Sequence, residues 1–144
     1  MRYPEELIRP MREDLTRQGV QEARTSEEVD NALLGSGDAT VLMVVNSVCG
    51  CAAAKARPGV VEALKHCVRP DRALTVFAGG DVEATARVRE LSGYPASSPS
   101  VFLFRGGKAI YAMHRHQIEN RNAFEIAATL KQAFEEHCSR PLVK

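Results

Sequence analysis

Two cysteines one residue apart, Cys49-Gly50-Cys51, are the residues of this chain best placed to do chemistry. Thiolates are nucleophiles and soft metal ligands, so a close pair can exchange disulfides or hold a metal. The pair follows an apolar run, Thr40-Val41-Leu42-Met43-Val44-Val45-Asn46, and precedes a helix-forming stretch, Ala52-Ala53-Ala54-Lys55-Ala56-Arg57, which places it at a strand-to-helix junction. First-turn N–H groups of a helix lack intrahelical acceptors, and their partial positive charge favours S⁻ over SH in what precedes them. Cys49, before that turn, is therefore expected to be the more exposed and more acidic thiol and the attacker, with Cys51 inside the turn as resolver. Gly50 permits backbone angles that bring the flanking side chains together and lets another chain approach the sulfurs. A disulfide closed over one residue forms a small ring whose dihedral departs from the relaxed value, which makes it easy to reduce.

Other readings of the same residues stay open at this point. A cysteine is often only a small buried hydrophobe, and Cys67 and Cys138 are taken as packing residues of that kind. A closed zinc site needs four ligands at compatible spacing, whereas Cys67, Cys138, His66, His114, His116 and His137 are scattered, so no metal ligand set is assigned. A module holding copper or zinc through Cys49 and Cys51 remains a rival, as does an interaction domain whose thiols are incidental. His114 and His116 read as a solvated strand end and not as a catalytic base, and Asn46 and Ser47 as candidates to tune the Cys49 thiolate.

The 144 residues suffice for one domain with a real core. With 19 basic against 18 acidic side chains and no Trp, the chain carries neither the electrostatic footprint nor the stacking surface of a nucleic-acid binder. No segment approaches the roughly 20 apolar residues of a membrane span, and the opening Met1-Arg2-Tyr3-Pro4-Glu5-Glu6-Leu7 lacks an apolar stretch. A soluble cytoplasmic protein is expected, and in a reducing cytosol a close cysteine pair is more plausibly catalytic than structural.

The elements that must position the pair follow from periodicity. Leu7, Ile8, Met11 and Leu15 mark an amphipathic helix over about residues 4–18, stopped at Gly19. Residues 20–24 suggest a short strand, and Thr25-Ser26-Glu27-Glu28 a capped helix through Leu34. The unbroken apolar run at 40–46 suits a central strand covered on both faces. A helix should then run to about Val68, kinked at Pro58, with Val60, Val61, Leu64, Cys67 and Val68 on its apolar side. Ala73–Phe77 reads as a buried strand, 81–92 as a helix stopped at Gly93, and Val101–Phe104 with Ala109–Met113 as a hairpin about Gly106-Gly107. A last helix, about 121–138, is expected to bury Phe124, Ile126, Ala127, Leu130 and Phe134. The sum is a mixed sheet between helices, an α/β sandwich of one domain, residues 1–144, with residues 1–19 as an N-terminal helical extension.

Strand-to-helix thiols, a proline seven residues past the second cysteine, and Ser98-Pro99 just before the hairpin together resemble the thioredoxin fold. More narrowly, Val45-Asn46-Ser47-Val48-Cys49-Gly50-Cys51-Ala52, Arg57-Pro58, Ser98-Pro99-Ser100-Val101 and Tyr3-Pro4 resemble the bacilliredoxins, thioredoxin-like proteins with a Cys-X-Cys active site, over nearly the whole chain. The resemblance implies a thiol–disulfide oxidoreductase in which Cys49 attacks a protein carrying bacillithiol as a mixed disulfide and is cleared by Cys51 or by a second bacillithiol. Bacillithiol would be co-substrate, with no tightly bound cofactor. The partners would be protein mixed disulfides and the low-molecular-weight thiol, with a homodimer left open. It further implies a cis Ser98–Pro99 bond, with Gly50, Ser98 and Pro99 contacting substrate. A general protein disulfide reductase or isomerase is the alternative within the same chemistry.

Overall fold

Val41–Asn46 (β2) is buried at every position, because a run with no polar side chain before Asn46 has no face to offer water. The computed structural model describes residues 2–138; Met1 and residues 139–144, the ends of the expected domain, lie outside the described residues. The other strands are β1 Gln21–Glu22, β3 Arg72–Phe77, β4 Ser100–Arg105 and β5 Lys108–Met113. They lie in the order β1-β3-β2-β4-β5. β2 runs parallel to β3, with Val44 opposite Thr75, and antiparallel to β4, with Val44 opposite Val101. The sheet is mixed, as expected.

Alternation along the strands sends side chains to opposite faces, and each face finds its own helices. The helices are α1 Glu5–Thr16, α2 Ser26–Leu33, α3 Arg57–Ala63, α4 Val82–Ser92, α5 Arg115–Glu119 and α6 Ala123–His137. Leu42, Val44, Val101 and Leu103 pack against Val60 of α3 and Ile126, Leu130 and Phe134 of α6. Val41, Met43, Val45, Phe102 and Phe104 pack against Val29 and Leu33 of α2 and Ala84 and Val88 of α4. Each such side chain taken from water contributes about 1.5–3 kcal/mol. The local signals act as expected: Thr25 caps α2 by accepting from the Glu28 N–H at 3.1 Å, and Gly106 and Gly107, at φ +60° and +79°, make the hairpin turn that side chains would resist.

Four expectations change. The long helix after the thiols is a π-helical turn, Ala52–Ala56, followed by α3, which stops at Ala63. Pro58 has no N–H and its ring would crowd the Ala54 carbonyl in a regular helix, and widening the preceding turn relieves both problems. At its other end α3 tightens into Lys65 N–H to Glu62 and His66 N–H to Ala63 bonds, so the extrapolated apolar face never reaches Cys67, which is exposed and not a packing residue. Phe124 is 81 % exposed: at 3.6 residues per turn it sits roughly 120° around α6 from the buried stripe. A further short helix, α5, follows the hairpin where a solvated strand end was expected.

Helix α1 is tied into the fold. Arg12 grips Asp81 with two bonds of 2.8 Å, both side chains only 5 % exposed, and Asp81 accepts the Phe77 N–H at 3.0 Å. This pins α1 to the loop after β3, beside the reactive end of the sheet. Among the described residues, no helix is long and apolar enough to cross a membrane.

Candidate active site

The central strand delivers the thiols. As β2 ends, Asn46 Oδ1 accepts the Ser47 N–H at 2.8 Å, and Ser47 Oγ accepts the Cys49 N–H at 3.1 Å, so two short side chains replace the sheet partners that the backbone has just lost. The Cys49 carbonyl then accepts from Ala52 at 3.0 Å and Ala53 at 3.2 Å, which makes Cys49 the residue that starts the helical turn. Arg57, 4 % exposed, reaches back from α3 and donates to Asn46 Oδ1 and to the Ser47 carbonyl, both at 2.9 Å, and to Asp14 of α1, also at 2.9 Å. Asn46 Nδ2 donates to the Met11 carbonyl at 3.1 Å. The loop under Cys49 is thus held by a buried network spanning three elements.

Both thiols are half-buried, in different surroundings. Cys51 packs against the core beneath α3 and α6. Cys49 opens on a cleft of about 270 Å³ that Tyr3, Gly79, Ser98 and Arg115 also line. Partial burial pushes the Cys49 thiol up, but the Ser47 hydroxyl, the Ala52 and Cys51 N–H groups and the Arg115 charge outweigh it and hold the thiol below its ordinary range. Gly50 has no positive φ and a Cβ there would meet nothing within 4 Å. The structure therefore does not use its special backbone angles, and what remains of the expectation is open space above the sulfurs.

The Ser98–Pro99 bond is cis, with Pro99 buried and Ser98 in the wall of the Cys49 cleft. The Ser98 carbonyl accepts from Arg115 Nη1 at 3.2 Å. Arg115 Nε is bound to Glu119 at 2.9 Å. On the opposite wall the Tyr3 N–H donates to the Gly79 carbonyl at 2.9 Å, and the ring lies so close that a Cβ on Gly79 would stand 2.5 Å from Cε2. Tyr3 thereby forms one side of the cleft.

Sequence reasoning singled out Cys49, Cys51, Gly50, Ser98 and Pro99, and the structure brings Cys49 and Ser98 into one cleft. It did not find Arg115, and knew Arg57 and Tyr3 only through a resemblance. Arg57 carried a faint signal, an arginine beside Ala56 and three residues before Val60 on an otherwise buried helix face. His114 and His116 line a separate groove with Pro95, Ala96 and Ser97. His114 meets the Tyr94 ring edge-on at 4.7 Å, and burial together with the neighbouring His116 charge lowers its pKa. Among the described residues, no three His, Cys, Asp or Glu side chains gather as a metal site would require.

The family model described as disulphide isomerase matches residues 3–138. The chain is 50 % identical over 137 residues to a bacilliredoxin of Koribacter versatilis, covering 94 % of each. It is 53 % identical over 142 residues to one of Salinibacter ruber, covering 96 % of this chain and 82 % of the relative. With one of Bacillus licheniformis it shares 45 % identity over 138 residues, covering 94 % of this chain and 95 % of the relative. In three dimensions it is similar to the oxidised thioredoxin of Plasmodium falciparum, with a TM-score of 0.59 and 17 % identity over 84 % of this chain and all of that one. Thioredoxin O1 of Arabidopsis thaliana gives a TM-score of 0.57 at 16 % identity, over 84 % of this chain and 99 % of that one. At such low identity these two establish the thioredoxin fold.

Proposed function

The chain belongs to the bacilliredoxin family and is a thiol–disulfide oxidoreductase, and from that premise we propose that it removes bacillithiol from protein mixed disulfides in the cytoplasm, with Cys49 as attacking and Cys51 as resolving thiol. The Cys49 thiolate attacks the bacillithiol sulfur, the bond to the substrate protein breaks, and that protein leaves as a thiolate that takes a proton from water. Cys51 then attacks Cys49 and releases bacillithiol, leaving a Cys49–Cys51 disulfide. Alternatively, a second bacillithiol attacks the bound one and departs with it as the symmetrical disulfide.

The observation that carries this reading is the asymmetry of the two thiols: Cys49 is held below its ordinary pKa range at an open cleft, and Cys51, two positions on, rests against the core. A thiolate facing a cleft, with a partner packed against the core, suits attack followed by resolution. Ser98, in the wall of the Cys49 cleft, offers surface on which a substrate would lie, with the buried Pro99 setting its position.

The description disulphide isomerase attached to the family model favours a second reading, a broader protein disulfide reductase or isomerase. Release of bacillithiol and of glutathione from the same model protein separates the two. The first reading expects bacillithiol to leave at least about tenfold faster, a difference of about 1.4 kcal/mol in barrier. Equal rates would favour the second, and stoichiometric copper or zinc in protein purified under reducing conditions would favour a metal-binding module.

A further inference from the structure

Arg115 lines the cleft onto which Cys49 opens. Its guanidinium is fixed at two points, Nε on Glu119 at 2.9 Å and Nη1 on the Ser98 carbonyl at 3.2 Å, while Nη2 makes no bond among the described residues. The side chain remains 45 % exposed. It lines the cleft that holds Cys49, and no carboxylate is among the lining residues. At about 270 Å³ the cleft lies just below the range typical of small-molecule sites, so it suits a small thiol better than a folded partner. A guanidinium with a donor to spare at the edge of a small cleft is the group that pairs with planar carboxylates. Tyr3, against Gly79, limits the opening from the other side.

We propose that Arg115 is the specificity residue of this site and binds a carboxylate on the low-molecular-weight thiol as that thiol is transferred to Cys49. This rests on the Cys49 nucleophile assigned above, and extends it by naming the chemical class that is preferred, an anionic small thiol over a neutral one. An i,i+4 pair with Glu119 alone would give Arg115 only a minor stabilising role and no influence on the charge of what reacts.

The direct test compares iodoacetate, which carries a carboxylate, with neutral iodoacetamide at Cys49, each measured above the pH at which its rate levels off so that the thiolate is fully formed. Arg115→Gln should lower the iodoacetate-to-iodoacetamide rate ratio at least about fivefold, Arg115→Lys should keep most of it, and raising the salt to about 1 M should erase the wild-type preference because charge attraction is then screened within about 3 Å. A ratio unchanged in Arg115→Gln, with both rates falling together, would overturn the proposal and leave Arg115 only a tuner of the thiolate. A wild-type Cys49 that neither reagent modifies would instead overturn the nucleophile assignment beneath it.

With substrates, one peptide carrying either glutathione or neutral mercaptoethanol gives the second arm. Arg115→Gln should lose about tenfold in kcat/KM on the glutathione adduct, mostly through KM, and under about threefold on the other, in line with one charge-assisted hydrogen bond. If the mercaptoethanol adduct responds just as strongly once an Asp is placed beside the peptide cysteine, and the glutathione adduct does not respond, the carboxylate belongs to the protein substrate and the assignment to the small thiol is overturned.

Discussion

Arg57 and Arg115 both stand beside the reactive loop, and burial separates what each can do. Arg57 is 4 % exposed and commits Nη1 to the buried Asn46 side chain and Ser47 carbonyl and Nε to Asp14. A desolvated guanidinium with unused donors is costly, so such a residue becomes a fixed part of the backbone's support. Arg115 is 45 % exposed, keeps one nitrogen unbonded within the described residues, and can afford to meet a ligand there. One residue type thus builds the floor of the site and guards its mouth. The difference lies in burial, since each side chain bonds through Nε and Nη1 and only that of Arg115 lies open to solvent.

The contrast is broken most easily by melting the two variants. Arg57→Met leaves the buried Ser47 carbonyl without that donor and should cost about 2–3 kcal/mol, a fall of roughly 5–10 °C in midpoint for a chain of this size. Arg115→Gln should stay within about 0.5 kcal/mol of wild type. Equal midpoints would mean that the buried network holds nothing the exposed one does not.

Ser47→Ala tests the next layer, since that hydroxyl both receives the Cys49 N–H and steadies the thiolate. Losing it raises the Cys49 pKa, so the alkylation rate should level off at a higher pH than in wild type. Below that pH the variant should be slower. An unmoved profile would shift the cause to the helical N–H groups and the Arg115 charge.

The two remaining cysteines repeat the contrast at smaller scale. Cys138→Ala, at a site 7 % exposed, should cost about 1 kcal/mol by denaturant titration, and Cys67→Ser, at an exposed one, should lie within about 0.5 kcal/mol of zero. Exchange activity should survive in the double variant; a folded but inactive one would mean that the resolving thiol is not Cys51. Gly50→Ala should be the mildest for the fold, neutral or slightly stabilising, because the added Cβ meets nothing. It should still slow turnover of protein substrates if they approach over that residue, and unaffected turnover would remove Gly50 from the contact surface.

What the sequence reveals here divides along the line between local and distant causes. The run Val41–Asn46, the Thr25 cap and the Gly106-Gly107 turn are written in neighbouring residues and form where expected. The strand-to-helix setting of Cys49-Gly50-Cys51 is legible for the same reason. Arg115 and Tyr3 are not, because each reaches the cleft through tertiary contacts, the first through the Ser98 carbonyl and the second through Gly79. Cys67 and Phe124 are misread because helical periodicity was extended past a real helix end in one case and onto the wrong side of a first turn in the other. Pro58 shows a third limit: its effect on a helix is legible, but the form taken is a widened turn and not a sharp kink.

The central claim, that Cys49 attacks and Cys51 resolves, is tested most directly by intact-mass analysis after mixing a bacillithiolated protein with each single variant. Cys51→Ser should gain one bacillithiol, mapped to Cys49, while the partner is released reduced, and Cys49→Ser should gain nothing. A stable adduct on Cys51 in the Cys49→Ser protein, with none on Cys49 in the other, would contradict the account.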